Sequence, residues 1–89
     1  MASYAVLGAT GSTGSSLIRI LLQSQDAQVR AYCRSKQKLN KLLPEIVEDK
    51  NLQVFEGSLE NVELMTECIR GTRAVFLAVG TFSGNLHHV

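Results

Sequence analysis

The chain has 89 residues, 45% of them hydrophobic and 19% charged, with a net charge of +1. These figures fit one small folded domain and exclude a disordered segment, a polybasic nucleic-acid or membrane surface, and, with only Cys33 and Cys68 present, a disulfide scaffold. No apolar run approaches the ~20 residues that span a bilayer, and no basic-then-apolar leader opens the chain, so a cytoplasmic protein with two reduced, packed thiols is expected.

In chain order, Ser3 to Leu7 predicts a strand, and Thr13 to Gln23 a helix whose Leu17, Ile18, Leu21 and Leu22 form one apolar stripe. Ser24 to Asp26 turns the chain into a second strand, Gln28 to Cys33. Ser35 caps a helix reaching Leu43, with Leu39, Leu42 and Leu43 facing inward. Pro44 interrupts it, a helical turn resumes at 45–47, and 49–51 is a loop before a third strand, Leu52 to Phe55. Ser58 or Asn61 caps a helix to Arg70, with Val62, Met65 and Ile69 on one face and Gly71 as its stop. Arg73 to Val79 is a fourth strand, and its unbroken apolar run from Ala74 fits a strand covered on both faces.

This βαβαβαβ order predicts an α/β, Rossmann-like, three-layer αβα fold with a parallel sheet, right-handed crossovers and strand order 3-2-1-4. Complete folds of this type carry more strands, so the expected domain, residues 1–80, reads as incomplete and truncated. The tail at 81–89 shows no period.

Between the first strand and first helix stand Gly8, Gly11 and Gly14. In a dinucleotide-binding turn such glycines have separate jobs. The first makes the tight turn, the second admits a pyrophosphate to the backbone, and the third lets the helix pack on the strand. Helix N-terminal amides and the helix dipole then face the anion. The spacing is G-x-x-G-x-x-G, and Thr10, Ser12 and Thr13 add hydroxyls for capping or phosphate contact.

The residue ending the second strand reads the adenosine ribose, where a carboxylate selects NAD and an arginine accommodates the 2′-phosphate of NADP. Arg34 stands twenty positions after Gly14, with Ser35, Lys36 and Lys38 beside it and no Asp or Glu between Gln28 and Pro44. NADP(H) is therefore favoured over NAD(H).

The segments 8–14, Arg34-Ser35, Gly57-Ser58-Leu59 and 74–80 together resemble the NmrA-like branch of the atypical short-chain dehydrogenase/reductase family. Arg34 to Leu39 is also similar to averufin-oxidase-like fungal members of polyketide metabolism. The resemblance covers about residues 3–81, the N-terminal part of the family's longer fold. It implies pyrophosphate contacts at Gly8, Thr10, Gly11, Ser12, Thr13 and Gly14, and 2′-phosphate contacts at Arg34 and Lys38. It also implies that Ser58 and Leu59 lie near the adenine, and Ala78, Val79 and Gly80 near the ribose beyond the pyrophosphate. Many relatives carry Gly-Asp where this chain has Gly57-Ser58.

The family's proton-donating tyrosine belongs to a Y-x-x-x-K pair on one helix. The match here, Tyr32 to Lys36, straddles a strand end on the adenosine side, away from any nicotinamide, and no catalytic residue is assigned. His87 and His88 have no carboxylate or thiol nearby, and two ligands make no metal site. The expected function is thus a dinucleotide-binding module of an NmrA-like oxidoreductase without its own catalytic residues; the alternative is a non-catalytic, redox-sensing regulator. The fourth strand is expected to be an exposed edge, favouring self-association or a protein partner.

Overall fold

The computed structural model describes residues 2–46 and 48–78. The elements run β1 (Ala2–Leu7), α1 (Ser12–Leu22), β2 (Ala27–Cys33), α2 (Lys36–Leu42), β3 (Leu52–Glu56), α3 (Val62–Ile69) and β4 (Ala74–Leu77). The four strands form one parallel sheet in the order β3-β2-β1-β4, as the alternating pattern predicts. The tail at 81–89, with His87 and His88, and the predicted strand end at Val79 lie outside the described residues.

The strands pair in register across the sheet. Val6 of β1 pairs with Ala31 of β2 and Phe76 of β4, while Leu7 pairs with Tyr32 and Leu77. One sheet face, covered by α1 and α2, holds the larger core, in which Val6, Ile18, Val29, Leu39 and Leu43 are buried. The opposite face lies under α3 and carries a thinner core of Ala5, Tyr32 and Cys68, flanked by Leu7, Phe55, Leu64 and Met65.

Two helix faces differ from expectation. Leu39 and Leu43 are buried as expected, but Leu42, the last residue of α2, is 40% exposed. Val62 and Ile69 also face solvent, and α3 packs through Leu64, Met65 and Cys68. On β4 Phe76 joins the larger core, while Val75 and Leu77, on the face where α3 packs against β1, β2 and β3, are 45% and 66% exposed, as an uncovered strand face would be. Residues 44–46 form a turn, with the Ile46 amide donating to the Leu43 carbonyl, and Val47, the end of the expected helical turn, lies outside the described residues.

Arg30, inside β2, ties the thinner layer together. Its Nη1 donates to the carbonyl of Arg70 at 2.6 Å and lies 3.3 and 3.4 Å from those of Glu67 and Cys68, closing the C-terminus of α3. These carbonyls have no partner within the helix, and a cation there also complements the dipole. The chain then leaves through Gly71 at φ 74°, the left-handed conformation that suits glycine. Among the described residues, no helix is long and apolar enough to cross a membrane.

Candidate functional site

Every strand of a parallel sheet points its C-terminal end the same way, so the loops after β1, β2 and β3 gather at one edge. There they surround a cleft of about 500 Å³. Gly8, Thr10 and Gly11 line it from the first loop, Arg34 and Ser35 from the second with Lys38 in the first turn of α2, and Leu59 from the third. Ala78, just beyond β4, completes the wall, and Tyr32 and Cys33 form its floor at the end of β2.

The first loop is built by its glycines. Gly8 has φ 81°, and its amide and that of Ala9 both donate to the Tyr32 carbonyl at 3.1 Å, turning the chain sharply off β1. A Cβ on Gly14 would stand 2.3 Å from the Gly8 carbonyl oxygen, so only glycine lets α1 sit this close to the turn. Gly11 differs. Its backbone, at φ −74° and ψ 162°, suits any residue, and a Cβ there would meet only ordinary contacts of 3.4 and 3.5 Å. The fold itself therefore does not demand glycine at 11.

Gly11 caps α1 without a side-chain hydrogen bond. The first helical amide with a backbone acceptor is that of Ser15, bonded to the Gly11 carbonyl at 2.9 Å. Among the described residues, the amides of Ser12, Thr13 and Gly14 have no acceptor and remain available to an anion. The Ser12 and Thr13 side chains are exposed and Gly14 is buried; these three form the first turn of α1 and do not line the cleft.

At the second loop, Ser35 caps α2, its Oγ accepting from the Lys38 amide at 3.1 Å. The Lys36 amide donates to Glu56 Oε2 at 2.9 Å, bringing a carboxylate from the end of β3 against this loop. Arg34 and Lys38 are exposed and have no carboxylate partner among the described residues. Burial pushes the Cys33 thiol up from its usual value, opposed by a hydrogen bond at Ser35, so it stays protonated beneath the cleft.

Ser58 does not line the cleft, although Leu59 next to it does. The Ser58 Oγ accepts from the Glu60 amide, and its carbonyl accepts from the Tyr32 hydroxyl at 2.5 Å. Tyr32 is 1% exposed, and burial, with Cys68 nearby, raises its pKa, so the phenol is a fixed donor inside the protein. Val79 and Gly80 lie outside the described residues. Sequence reasoning missed Tyr32 and Cys33 as cleft residues. Their signal was positional: the last residues of a central parallel strand abut the ligand edge whatever their chemistry.

A family model described as NAD(P)H-binding matches residues 8–88. The oxidoreductase ordB of Dothistroma septosporum is 63% identical over 79 residues, which is 89% of this chain and 30% of that protein. The oxidoreductase aflX of Aspergillus parasiticus is 61% identical over 79 residues, with the same two shares. The chain thus spans about 30% of the length of these relatives. Among solved structures, a short-chain dehydrogenase/reductase of Veillonella parvula in complex with NADP matches with a TM-score of 0.76 and 27% identity, over 85% of this chain and 34% of that one. A Rossmann-fold NAD(P)-binding family protein of Shigella flexneri matches with a TM-score of 0.75 and 22% identity, over 88% and 37%.

Proposed function

This chain belongs to the NAD(P)H-binding family, and on that footing we propose that it binds NADP(H) in preference to NAD(H), as the dinucleotide-binding part of an oxidoreductase like its fungal relatives. The observation that carries the reading is the cleft, where a glycine turn whose amides have no acceptor among the described residues faces Arg34 at the end of β2 and Lys38 in the first turn of α2, with no acidic side chain between them. In this reading the amides of Ser12, Thr13 and Gly14, with Gly8, Thr10 and Gly11, receive the pyrophosphate. Arg34 and Lys38 receive the 2′-phosphate, which a guanidinium binds with two parallel hydrogen bonds. The Ser58–Leu59 segment receives the adenine, and Ala78 with Val79 and Gly80 receives the ribose beyond the pyrophosphate. Residues 1–80 act as the binding domain.

The bound nicotinamide supplies the hydride chemistry. The residues described here bind and orient it; Tyr32 offers no proton to a substrate, because its hydroxyl is buried and donates to the Ser58 carbonyl. The test is calorimetry with NADPH, NADH and ADP on the chain and on Arg34→Ala. Loss of a bidentate phosphate contact, about 1.5–3 kcal/mol, lowers NADPH affinity roughly 10- to 150-fold and leaves NADH nearly unchanged. No binding of any nucleotide would overturn the function, and equal NADPH and NADH affinities in both proteins would overturn the cofactor choice.

A further inference from the structure

Tyr32 occupies a position that dinucleotide contact alone does not explain. Its backbone carbonyl accepts from the amides of both Gly8 and Ala9, at 3.1 Å each, and so fixes the phosphate turn. Its side chain crosses to the third loop and donates to the Ser58 carbonyl at 2.5 Å. Gly57 makes room for that crossing, since a Cβ there would stand 2.7 Å from the Tyr32 hydroxyl oxygen. One residue therefore holds both walls of the cleft, the first through its backbone and the second through its hydroxyl. The ring is 1% exposed between Ala5, Cys68 and their neighbours, so it has little freedom to lend elsewhere.

We propose that Tyr32 is a positioning residue that sets the separation of the two walls and holds the Ser58–Leu59 segment where it receives the adenine. The inference rests on the dinucleotide reading above and assigns to Tyr32 a role that its place in a Y-x-x-x-K match conceals. The third loop has other ties: the Gly57 amide donates to the Cys33 carbonyl at 2.9 Å, and the Asn61 amide to the Ser58 carbonyl at 3.2 Å. The first binds the loop's entry to β2, and the second is internal to the loop. Among the described residues, the phenol alone links Ser58 to the sheet. Without it the loop samples open positions, and apparent affinity falls by the fraction of time the closed one is occupied.

Tyr32→Phe deletes the hydroxyl and keeps the ring, the core and both backbone bonds to the phosphate turn. Calorimetry compares NADPH with inorganic pyrophosphate, which has no adenine, on both proteins; amide hydrogen exchange follows Glu60 and Asn61. The expected result is a roughly three- to tenfold loss of NADPH affinity, the weight of one hydrogen bond, with pyrophosphate affinity within about twofold of wild type, and faster exchange at Glu60 and Asn61. Equal losses for NADPH and pyrophosphate would reduce Tyr32 to general support of the fold and overturn the inference, as would unchanged NADPH affinity or unchanged exchange at those amides. If wild-type chain binds no NADPH, the dinucleotide reading falls instead; faster exchange in Tyr32→Phe would then still record the loop anchor.

Discussion

Alanine at position 11 and alanine at position 14 separate what the fold needs from what the ligand needs. At Gly14 the new Cβ would lie 2.3 Å from a backbone oxygen, and nothing flexible stands between them. Helix α1 must retreat by about 0.7 Å to bring that contact to 3.0 Å, below which real Cβ contacts essentially never fall. Overpacking against backbone costs about 3 kcal/mol at the upper end of the usual range, offset by about 1 kcal/mol of better helix propensity. A net loss of about 2 kcal/mol lowers the melting temperature of a domain this size by roughly 8–16 °C. At Gly11 the backbone already suits alanine and the Cβ meets only ordinary contacts. The gain of about 0.4–1 kcal/mol from a stiffer unfolded chain offsets a comparable loss from a poorer N-cap, so the melting temperature stays within about 3 °C. The methyl of Gly11→Ala instead projects where the pyrophosphate is proposed to lie, and NADPH affinity falls roughly tenfold or more. Thermal denaturation with calorimetric titration of both variants decides the matter. If Gly11→Ala melts as early as Gly14→Ala, or binds NADPH as tightly as wild type, the assignment of a ligand-facing glycine is wrong.

Arg30→Met keeps the aliphatic packing of β2 and leaves the carbonyls at the end of α3 without their donor; urea denaturation should show a loss of about 1–3 kcal/mol, and a loss under about 0.5 kcal/mol would deny Arg30 its closing role. Burial raises the Cys68 thiol from 9.0 to about 11, so the folded state holds that proton more tightly than the unfolded one. Its contribution is complete below pH 9 and is lost as pH rises through about 11; Cys33 and Tyr32, also raised, act in the same direction. Denaturation midpoints should fall across this window, with a shallower slope in Cys68→Ala, and identical slopes would refute the assignment. Glu56→Gln removes a negative charge beside Lys36; at low salt NADPH affinity should rise roughly two- to fivefold with NADH unchanged, and the gain should shrink as salt is added. A gain shared by both nucleotides would place Glu56 away from the 2′-phosphate. Among the described residues β4 pairs only with β1, and Val75 and Leu77 are exposed; self-association of this chain is the expected outcome, which a stable monomer by light scattering at tens of micromolar, roughly the range where such association appears, would contradict.

The sheet order was legible because period and punctuation agreed at every step. Apolar runs of strand length alternate with amphipathic stretches, and Gly8, Ser35, Asn61 and Gly71 mark the junctions. Which face each helix buries was less legible. In a helix as short as α2 the apolar stripe does not settle every position, and of Leu39, Leu42 and Leu43 it is Leu42 that is left exposed. The glycine turn and the Arg34 loop were readable because their residue types are unusual for their positions. Tyr32 and Cys33 were not, because a tyrosine and a cysteine in a buried strand look like core. Arg30 was hidden for the opposite reason: a charged residue within a strand reads as solvent-facing until the helix end it closes is known.

Two helix N-termini meet at the cleft, and their hydrogen bonding divides the proposed work between them. At α1 the first-turn amides have no acceptor among the described residues, so the backbone itself can hold an anion. At α2 two of the corresponding amides are already engaged, that of Lys36 by Glu56 and that of Lys38 by the Ser35 hydroxyl. A phosphate arriving there would have to displace a carboxylate or a cap to use them. In that reading recognition at the second site falls on side chains, those of Arg34 on the β2–α2 loop and Lys38 in the first turn of α2. Pyrophosphate binding should thus survive most side-chain changes and fail with the glycines, whereas the choice between NADP and NAD should change with a few residues of the β2–α2 loop and with Glu56, leaving the fold intact.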